Sequence, residues 1–465
     1  MAPVIDIHTH LFNALDIPVE GYLISRRIEK KRPCDLEYII HFFPGIHVFH
    51  YLVDRMRDRC MIRQMHGETK GWYYNLLLRV FGRYMRQDLM EWEDSLTRTP
   101  VANADNLIRL WPKTDLFVPL VIDFEYWFKN SVDVPVSEQV ELIYREVTVP
   151  MSGRFHAFVP FDPVRELAFR KGLNNPDGQR ELTSSLDLVK RAVREMGFIG
   201  VKLYNTLGYR PLNNSGGLTP LHRQRMAVRN EKGAYLFEGD AYDQVLRELY
   251  GYCEKEGIPV TAHCMLNGIE AYPGASEHFG AADLWRPVLN EFGNLRVNLA
   301  HFGWNPLDGY GYGHRQNWMK NICRMMTEYE HLYTDVSHHE VTRRNKRNDL
   351  IKTFRHIQKD FPDTIEKIKK RILFGSDWHV LRRVKRYAAF PDRYRRILLE
   401  TGFYDGQSIS DFMGGNAIRF LGIQPGEPNY KRLERFYKNH HMEPPEWFQK
   451  AGGRKPDTGT NSQGD

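Results

Sequence analysis

Short apolar runs alternate with amphipathic segments along most of this 465-residue chain. The first run, 3–10, is too short for a helix and is rich in β-branched residues, so we predict a strand. The remaining predicted strands lie at 115–123, 155–161, 199–204, 258–263, 295–301, 332–336 and 372–376. Apolar positions with helical spacing predict helices at 138–149, 184–196, 240–256, 281–292, 316–328 and 350–370, and from 393 and 410 onward. Within 350–370 we expect a break near Pro362.

The regular alternation of strand and helix implies parallel strand pairing. Eight such units predict an α/β fold, namely a closed (β/α)₈ TIM barrel rather than an open sheet. Residues 11–113, rich in aromatic and basic side chains, interrupt the alternation and predict a large helical insertion after strand 1. We therefore divide the chain into a barrel (1–10 and 114–425), a helical cap insertion (11–113) and a C-terminal extension (426–465) that ends in a disordered tail.

The overall composition, 42% hydrophobic and 26% charged, is that of an ordinary globular protein and excludes disordered and collagen-like classes. No segment reaches the ~18 consecutive apolar residues that a membrane helix requires. The first residues also lack the pattern of a signal peptide. The five cysteines are few and scattered, so we expect reduced thiols in a cytoplasmic protein.

Positive charge is concentrated in one part of the chain. The net charge is +7, and residues 343–400 contain 18 Lys and Arg against 7 Asp and Glu. Such a stretch attracts nucleic acid, acidic lipid or an anionic substrate, or forms solvated helix faces. No nucleic-acid module signature accompanies it, so we do not expect nucleic acid to be a partner.

A His-x-His pair stands at the end of the first predicted strand. Residues two apart in a strand point to the same face, so His8 and His10 would lie side by side at the C-terminal end of the barrel. Barrel active sites lie at that end, and paired imidazoles suit a divalent metal such as zinc. The alternative is a pair of hydrogen-bonded core histidines.

Further polar residues occupy equivalent positions in the predicted fold. His263, His301 and Asp377 each end an apolar strand, and Lys202 lies on the fourth strand. His263 and His301 are 38 residues apart, about one strand–helix unit, and His301 and Asp377 are 76 apart, about two units. Five strands thus direct coordinating or titratable groups to one rim, which predicts a functional site there.

These residues resemble those of the amidohydrolase superfamily of metal-dependent barrels. The short sequence motifs at 200–204, 300–303, 373–378 and 414–423 are similar to those of the amidohydrolase 2 type. This is the branch that contains aminocarboxymuconate semialdehyde decarboxylase and related decarboxylases and hydrolases. The resemblance covers 3–10 and about 115–423, and the insertion matches no family that we can name. Two departures touch the substrate rim: Phe302 follows His301 where the family often has glycine, and His379 stands where proline is common. We therefore do not transfer the family's substrates.

The resemblance implies a role for each candidate residue. The implied ligands of one divalent metal, Zn²⁺ by preference and Mn²⁺ otherwise, are His8, His10, His263 and Asp377. Asp377 would also accept a proton from the attacking water, and His301 would polarise substrate or move protons. Lys202 would either contact substrate or, if carboxylated, bridge to a second metal that His301 helps to hold, and we favour the substrate contact.

The predicted loops at this rim suggest how a substrate is held. Tyr204 and Arg210 follow strand 4, and Arg210 would either pair with a substrate carboxylate or be an ordinary surface arginine. Residues 309–313 predict a mobile lid. The insertion would either cap this rim or form a homodimer interface.

We therefore expect a cytoplasmic, metal-dependent hydrolase that cleaves a C–N or C–O bond of a small carbonyl compound, with a carboxylate-bearing small molecule as its partner. The second interpretation is a metal-dependent, non-oxidative decarboxylase, a lyase acting on an unsaturated or aromatic carboxylic acid. The third is a non-catalytic protein that uses the basic 343–396 region for binding.

Overall fold

The computed structural model describes residues 2–18, 94–127, 132–173, 183–219, 237–266, 268–270, 272, 274–304, 317–382 and 384–451. Most of the predicted insertion, the predicted lid at 309–313 and the predicted tail therefore lie outside the described residues. The described strands are β1 (Ile5–Thr9), β2 (Leu116–Pro119), β3 (Phe158–Pro160), β4 (Gly200–Leu203), β5 (Val260–Ala262), β6 (Val297–Leu299), β7 (Leu332–Asp335) and β8 (Ile372–Leu373). Each predicted strand is confirmed, although each is shorter than its apolar run.

Helices follow the strands in the predicted alternation. The described α-helices are α1 (Pro100–Leu110), α2 (Val136–Leu142), α3 (Pro163–Arg170), α4 (Ser185–Glu195), α5 (Asn214–Gly217), α6 (Gly239–Glu256), α7 (Ala275–Phe279), α8 (Arg286–Glu291), α9 (Trp318–Glu328), α10 (Arg344–Asp360), α11 (Ile365–Lys369), α12 (Trp378–Leu381), α13 (Phe390–Glu400), α14 (Asn416–Leu421), α15 (Pro428–Asn439) and α16 (Glu446–Ala451). The predicted 350–370 helix is two helices, α10 and α11. The predicted break near Pro362 is confirmed, because proline disfavours helical backbone at the residue before it.

All strand pairs are parallel, as the alternation predicted. They form a two-stranded sheet, β1–β2, and a six-stranded sheet in the order β3 to β8. The regular ladder is thus not closed into a ring, because gaps remain between β2 and β3 and between β8 and β1. Within the β1–β2 pair, β1 shifts register between Asp6 and Thr9. Isolated contacts span both gaps: Leu120 and Phe117 bridge to Phe158 and Phe155, and the Ile7 N–H donates to the Phe374 carbonyl at 3.1 Å. The α/β barrel fold is confirmed, with this difference in closure.

The C-terminal segment covers the N-terminal ends of the strands. The Asn416 side chain on α14 donates to the Ile372 carbonyl, and that of Asn429 on α15 donates to the Ile199 carbonyl. Aromatic residues of this segment, such as Phe436, pack into one apolar cluster with Ile5 and Phe158. This end of the barrel is therefore filled, and the opposite end carries the polar residues. Among the described residues, no helix combines the length and the apolar character that a bilayer span would need.

Candidate metal centre

The predicted polar residues meet at the C-terminal ends of the strands. His8 and His10 lie at the end of β1, His301 follows β6 and Asp377 follows β8. His8, His301 and Asp377 are buried, and each offers one ligand atom within 4.8 Å of the other two. These three side chains therefore form a group that could hold a metal ion.

The two other predicted ligands extend this group at each side. The His10 Nε2 atom lies 3.6 Å from Asp377 Oδ1, and the His263 Nδ1 atom lies 3.1 Å from His301 Nε2. Donor atoms that share one tetrahedral zinc ion at 2.0–2.1 Å lie about 3.3 Å apart. Both separations fit that spacing. The tertiary structure thus brings together all five residues selected at the strand ends, and His301 lies among them rather than outside.

Hydrogen bonds define which ring nitrogen carries the proton in these histidines. The His10 Nδ1 atom lies 2.8 Å from the Leu120 carbonyl oxygen, which only accepts, so this nitrogen carries the hydrogen and Nε2 carries the lone pair. The His8 Nδ1 atom likewise lies 3.1 Å from a carboxylate oxygen of Asp335. Both imidazoles therefore keep Nε2 available for a metal.

The contact between His10 and Asp377 shows most directly whether a cation fits this site. Both facing atoms are acceptors, and the buried Asp377 Oδ1 has no hydrogen-bond partner among the described residues. Burial, the largest influence, lowers the pKa of His10 to about 3, so a proton on the ring does not relieve the contact at neutral pH. Burial opposes ionisation of Asp377, yet the hydrogen bond from His338 keeps its pKa below the ordinary value. Two facing lone pairs in a buried site fit a bound cation.

The backbone holds Asp377 in a strained conformation. Its φ of +52° is left-handed, its N–H donates to the His8 carbonyl at 2.7 Å, and its Oδ2 atom accepts from His338 Nδ1 at 3.1 Å. His301 and His338 also have left-handed φ values, +66° and +68°. Such conformations persist in non-glycine residues only where surrounding contacts over-determine them, and they concentrate at functional sites.

Asp335 and Ser337, two residues apart at the end of β7, were not predicted as site residues. The fully buried Asp335 carboxylate accepts from His8 Nδ1, and the Ser337 hydroxyl lies 2.9 Å from His301 Nδ1. Burial opposes ionisation of Asp335, but its interaction with His8 lowers its pKa. Asp335 ends an apolar strand, so the rule that selected His263, His301 and Asp377 would have selected it too.

Lys202, Tyr204 and Arg210 have different surroundings in the structure. Lys202 is buried, and its Nζ atom has no hydrogen-bond partner in the described part of the chain. Burial lowers its pKa to about 8, against the opposing charges of Asp335 and Asp377. The Tyr204 ring stacks on the His263 ring with centroids 4.4 Å apart. Arg210 has its guanidinium 3.4 Å from His278 Nε2.

Comparison with known proteins agrees with this arrangement at the level of family. The amidohydrolase family model matches residues 167–423, more than half of the chain. No curated protein matches. Solved structures with similar folds include an amidohydrolase from Burkholderia multivorans with bound zinc, at 11% identity, a TM-score of 0.40, and coverage of 71% of this chain and 91% of that one.

Two further solved structures cover more of the chain. Amidohydrolase 2 from Bifidobacterium longum subsp. infantis is 11% identical, with a TM-score of 0.39 and coverage of 90% of this chain and 99% of that one. The 5-carboxyvanillate decarboxylase from Novosphingobium aromaticivorans, with bound manganese and a nitrobenzoic acid, is 11% identical, with a TM-score of 0.41 and coverage of 90% and 97%. Likenesses at this level do not bear on the reaction or the metal.

Proposed function

The chain belongs to the amidohydrolase family, and on that premise we propose that it is a metal-dependent hydrolase acting on a C–N or C–O bond of a small carbonyl compound. The proposed ligands of one divalent ion, Zn²⁺ or otherwise Mn²⁺, are His8, His10, His263 and Asp377. The observation that carries the proposal is the buried contact of two acceptors, His10 Nε2 and Asp377 Oδ1, at 3.6 Å. A divalent ion in such a site polarises a carbonyl oxygen and activates water.

The residues of the chain supply the proton transfers and the substrate contacts. Asp377 would accept a proton from the attacking water, because a pKa below the ordinary value leaves its carboxylate ionised, and so able to accept, at neutral pH. His301 would orient the substrate or move the proton onward; its Nδ1 atom contacts Ser337, and its Nε2 atom lies 3.1 Å from His263 Nδ1. If His301 instead ligates metal, its loss removes the ion as well, which the variants below distinguish.

Lys202, Tyr204 and Arg210 are the proposed substrate-binding residues. The buried Lys202 ammonium lacks a hydrogen-bond partner among the described residues, and this supports a substrate that carries a carboxylate. Tyr204 forms one wall through its stack on His263. Arg210, next to His278, would engage the far end of the substrate. A carboxylated Lys202 would instead hold a second metal.

Decarboxylation is the second candidate, and the same buried lysine favours it. The Lys202 ammonium could hold the carboxylate of an unsaturated or aromatic acid, and a protonated group would then deliver a proton to carbon. We prefer hydrolysis because the large insertion at 11–113 and the altered substrate rim, with Phe302 and His379, argue against close kinship to the decarboxylases. The third candidate, binding through 343–396, does not explain why a complete ligand set is retained.

Metal analysis and two histidine variants test the proposed site. Protein purified without chelator should hold about one divalent ion per chain. His263→Ala should lose metal and activity together, whereas His301→Ala should keep metal and lose turnover. His440→Ala, which removes a histidine that bonds Tyr144 at the filled end, is the matched control and should change neither.

Each result that contradicts these roles is distinct. Metal loss in His301→Ala would make His301 a ligand. Two ions per chain with added mass on Lys202 would replace the single-metal site. A chain without any divalent metal would overturn the proposal, and steeply salt-dependent DNA binding with no turnover would favour the binding function.

A substrate screen separates the two reactions. Esters, lactones, amides and aromatic acids should be tested with parallel detection of the hydrolysis products and of carbon dioxide. Hydrolysis of a carboxylate-bearing ester, lactone or amide is the expected result. Release of carbon dioxide from an aromatic or unsaturated acid, with every ester, lactone and amide left intact, would establish decarboxylation instead.

A further inference from the structure

We propose that Asp335 and Ser337, at the end of β7, form a positioning clamp that sets the ring tautomer and orientation of both His8 and His301. The clamp thereby sets the affinity of the centre for its metal. This inference rests on the proposed function, since it concerns the residues around the same ion. In this proposal Asp335 and Ser337 act only by positioning the two histidines, and they are themselves neither metal ligands nor substrate-binding residues.

The Asp335 carboxylate is surrounded by hydrogen-bond donors. Its Oδ2 atom accepts from His8 Nδ1 at 3.1 Å and from Asn298 Nδ2 at 2.8 Å. Its Oδ1 atom accepts from the backbone N–H groups of His301 and Ser337, both at 3.1 Å. The Ser337 hydroxyl is a further partner of Oδ1. Because every neighbour donates, this position requires a group that only accepts.

The Ser337 hydroxyl determines which ring nitrogen of His301 carries the hydrogen. A hydroxyl has one hydrogen, and its short contact with Asp335 Oδ1 uses that hydrogen, because this oxygen also faces two backbone N–H groups, which only donate, and is therefore an acceptor. The Ser337 oxygen must then accept from His301 Nδ1, which lies 2.9 Å away. His8 Nδ1 also lies 3.1 Å from this oxygen. One carboxylate, directly and through one hydroxyl, therefore places a hydrogen on Nδ1 of both imidazoles.

This arrangement matters because an imidazole binds a metal only through a nitrogen that carries a lone pair. With Nδ1 protonated, Nε2 carries the lone pair in both rings, where it serves the metal in His8 and the proposed substrate contact or proton transfer in His301. The backbone of His301 is held by the same carboxylate, so ring orientation and chain position are coupled. Loss of the clamp frees the tautomer and the ring plane, and outer-sphere partners of this kind typically change metal affinity about 10- to 100-fold.

Two substitutions test the clamp. Asp335→Asn keeps the shape but places an NH₂ group among donors, so some contact must become donor against donor. Ser337→Ala removes only the hydroxyl. Zn²⁺ affinity is measured by competition with a chromophoric chelator, and the Co²⁺-loaded protein is examined by its d–d absorption spectrum. We expect about 10- to 100-fold weaker Zn²⁺ binding in Asp335→Asn, a smaller loss in Ser337→Ala, and a changed Co²⁺ spectrum in both.

The controls remove similar buried groups away from the centre. Asp243→Asn alters a buried carboxylate that accepts from Asn214, and Ser184→Ala removes a buried hydroxyl that caps α4. Both controls should lower the melting temperature while keeping wild-type Zn²⁺ affinity and the wild-type Co²⁺ spectrum. This separates positioning from a general loss of stability, and Ser337→Ala keeps the test decisive if Asp335→Asn does not fold.

The possible failures are distinguishable. Wild-type affinity and an unchanged Co²⁺ spectrum in folded Asp335→Asn and Ser337→Ala would overturn the clamp and leave the proposed function standing. Equal losses in the Asp243 and Ser184 controls would also overturn it, since the effect would then be general destabilisation. A wild-type chain that binds neither ion would overturn the proposed function and the clamp with it.

Discussion

The two ends of the barrel use buried histidine in opposite ways. At the filled end, His156 Nδ1 lies 2.7 Å from the Gly197 carbonyl and Nε2 lies 2.7 Å from the Tyr437 hydroxyl. At the open end, His10 is also buried, but its Nε2 atom faces an acceptor of Asp377. Residue type and burial are the same at both ends. What distinguishes a ligand from a structural histidine is whether both ring nitrogens find complementary partners within the protein.

The backbone shows a related contrast. The filled end is packed with apolar side chains such as Phe420, Phe436 and Trp447. At the open end, His301, His338 and Asp377 adopt left-handed conformations after three successive strands. Each such conformation costs about 1–3 kcal/mol, so the open end is a destabilised region held by the rest of the fold. Stability and chemistry are thus placed at different ends.

The largest expected effects come from replacing one buried histidine with alanine at each end of the barrel. His8→Ala removes a proposed ligand, so Zn²⁺ affinity should fall by more than ~100-fold, beyond the usual range of outer-sphere changes. His156→Ala leaves the buried Gly197 carbonyl and Tyr437 hydroxyl without their partner and opens a cavity, so it should cost about 2–5 kcal/mol of stability. Chelator competition and denaturant unfolding measure the two quantities. If His156→Ala lost metal while remaining folded, the structural role of His156 and the ligand role of His8 would no longer be distinct.

Acid should destabilise the filled end through His156. Burial, the largest influence, lowers the pKa of its ring to about 4, whereas the unfolded-state value is about 6.5. The unfolded chain therefore binds the proton first, and this contribution to stability is complete above pH ~6.5 and is lost as pH falls toward ~4. The loss amounts to at most about 3 kcal/mol.

The acid effect is isolated by His156→Gln, whose amide can still donate to Gly197 and accept from Tyr437 but does not titrate. Thermal unfolding of both proteins is measured from pH 7.5 to pH ~4 in steps. The difference in melting temperature between wild type and His156→Gln should become smaller as pH falls. A constant difference across this range would contradict the depressed pKa.

The smallest expected effect comes from the loop that covers His263. Gly268 has a φ of +106°, and a Cβ at this position would lie 2.9 Å from His263 Nε2. Gly268→Ala should therefore shift the ring, lower Zn²⁺ affinity a few-fold and cost about 1–3 kcal/mol of stability. The matched control is Gly172→Ala, which also has a left-handed φ, +63°, but has no atom within 4 Å of the added Cβ. Equal metal affinities in the two variants would show that the contact with His263 does not matter.

Much of the fold and of the candidate site was accessible from the sequence because both depend on local pattern. Strands alternate faces with a period of two residues, and parallel strands end at one edge, so polar residues that close apolar runs share a rim. This reasoning selected His263, His301 and Asp377, and it would have selected Asp335. The same alternation places Asp6 on the face of His8, which leaves two roles open: a partner that orients an imidazole, or a plain buried hydrogen bond. In the structure Asp6 accepts from the N–H groups of His8 and Ser376, which are plain buried hydrogen bonds.

The sequence by itself therefore determined the strand–helix alternation, the parallel pairing and the set of polar residues at one rim. Only the tertiary structure decided the left-handed turn at Asp377, the register shift in β1 and the contact of His301 with Ser337. These features depend on atoms of strands that are far apart in sequence, and the direction of a hydrogen bond between them has no local signature. A pattern of residues indicates which groups can meet, whereas packing decides which atoms face each other.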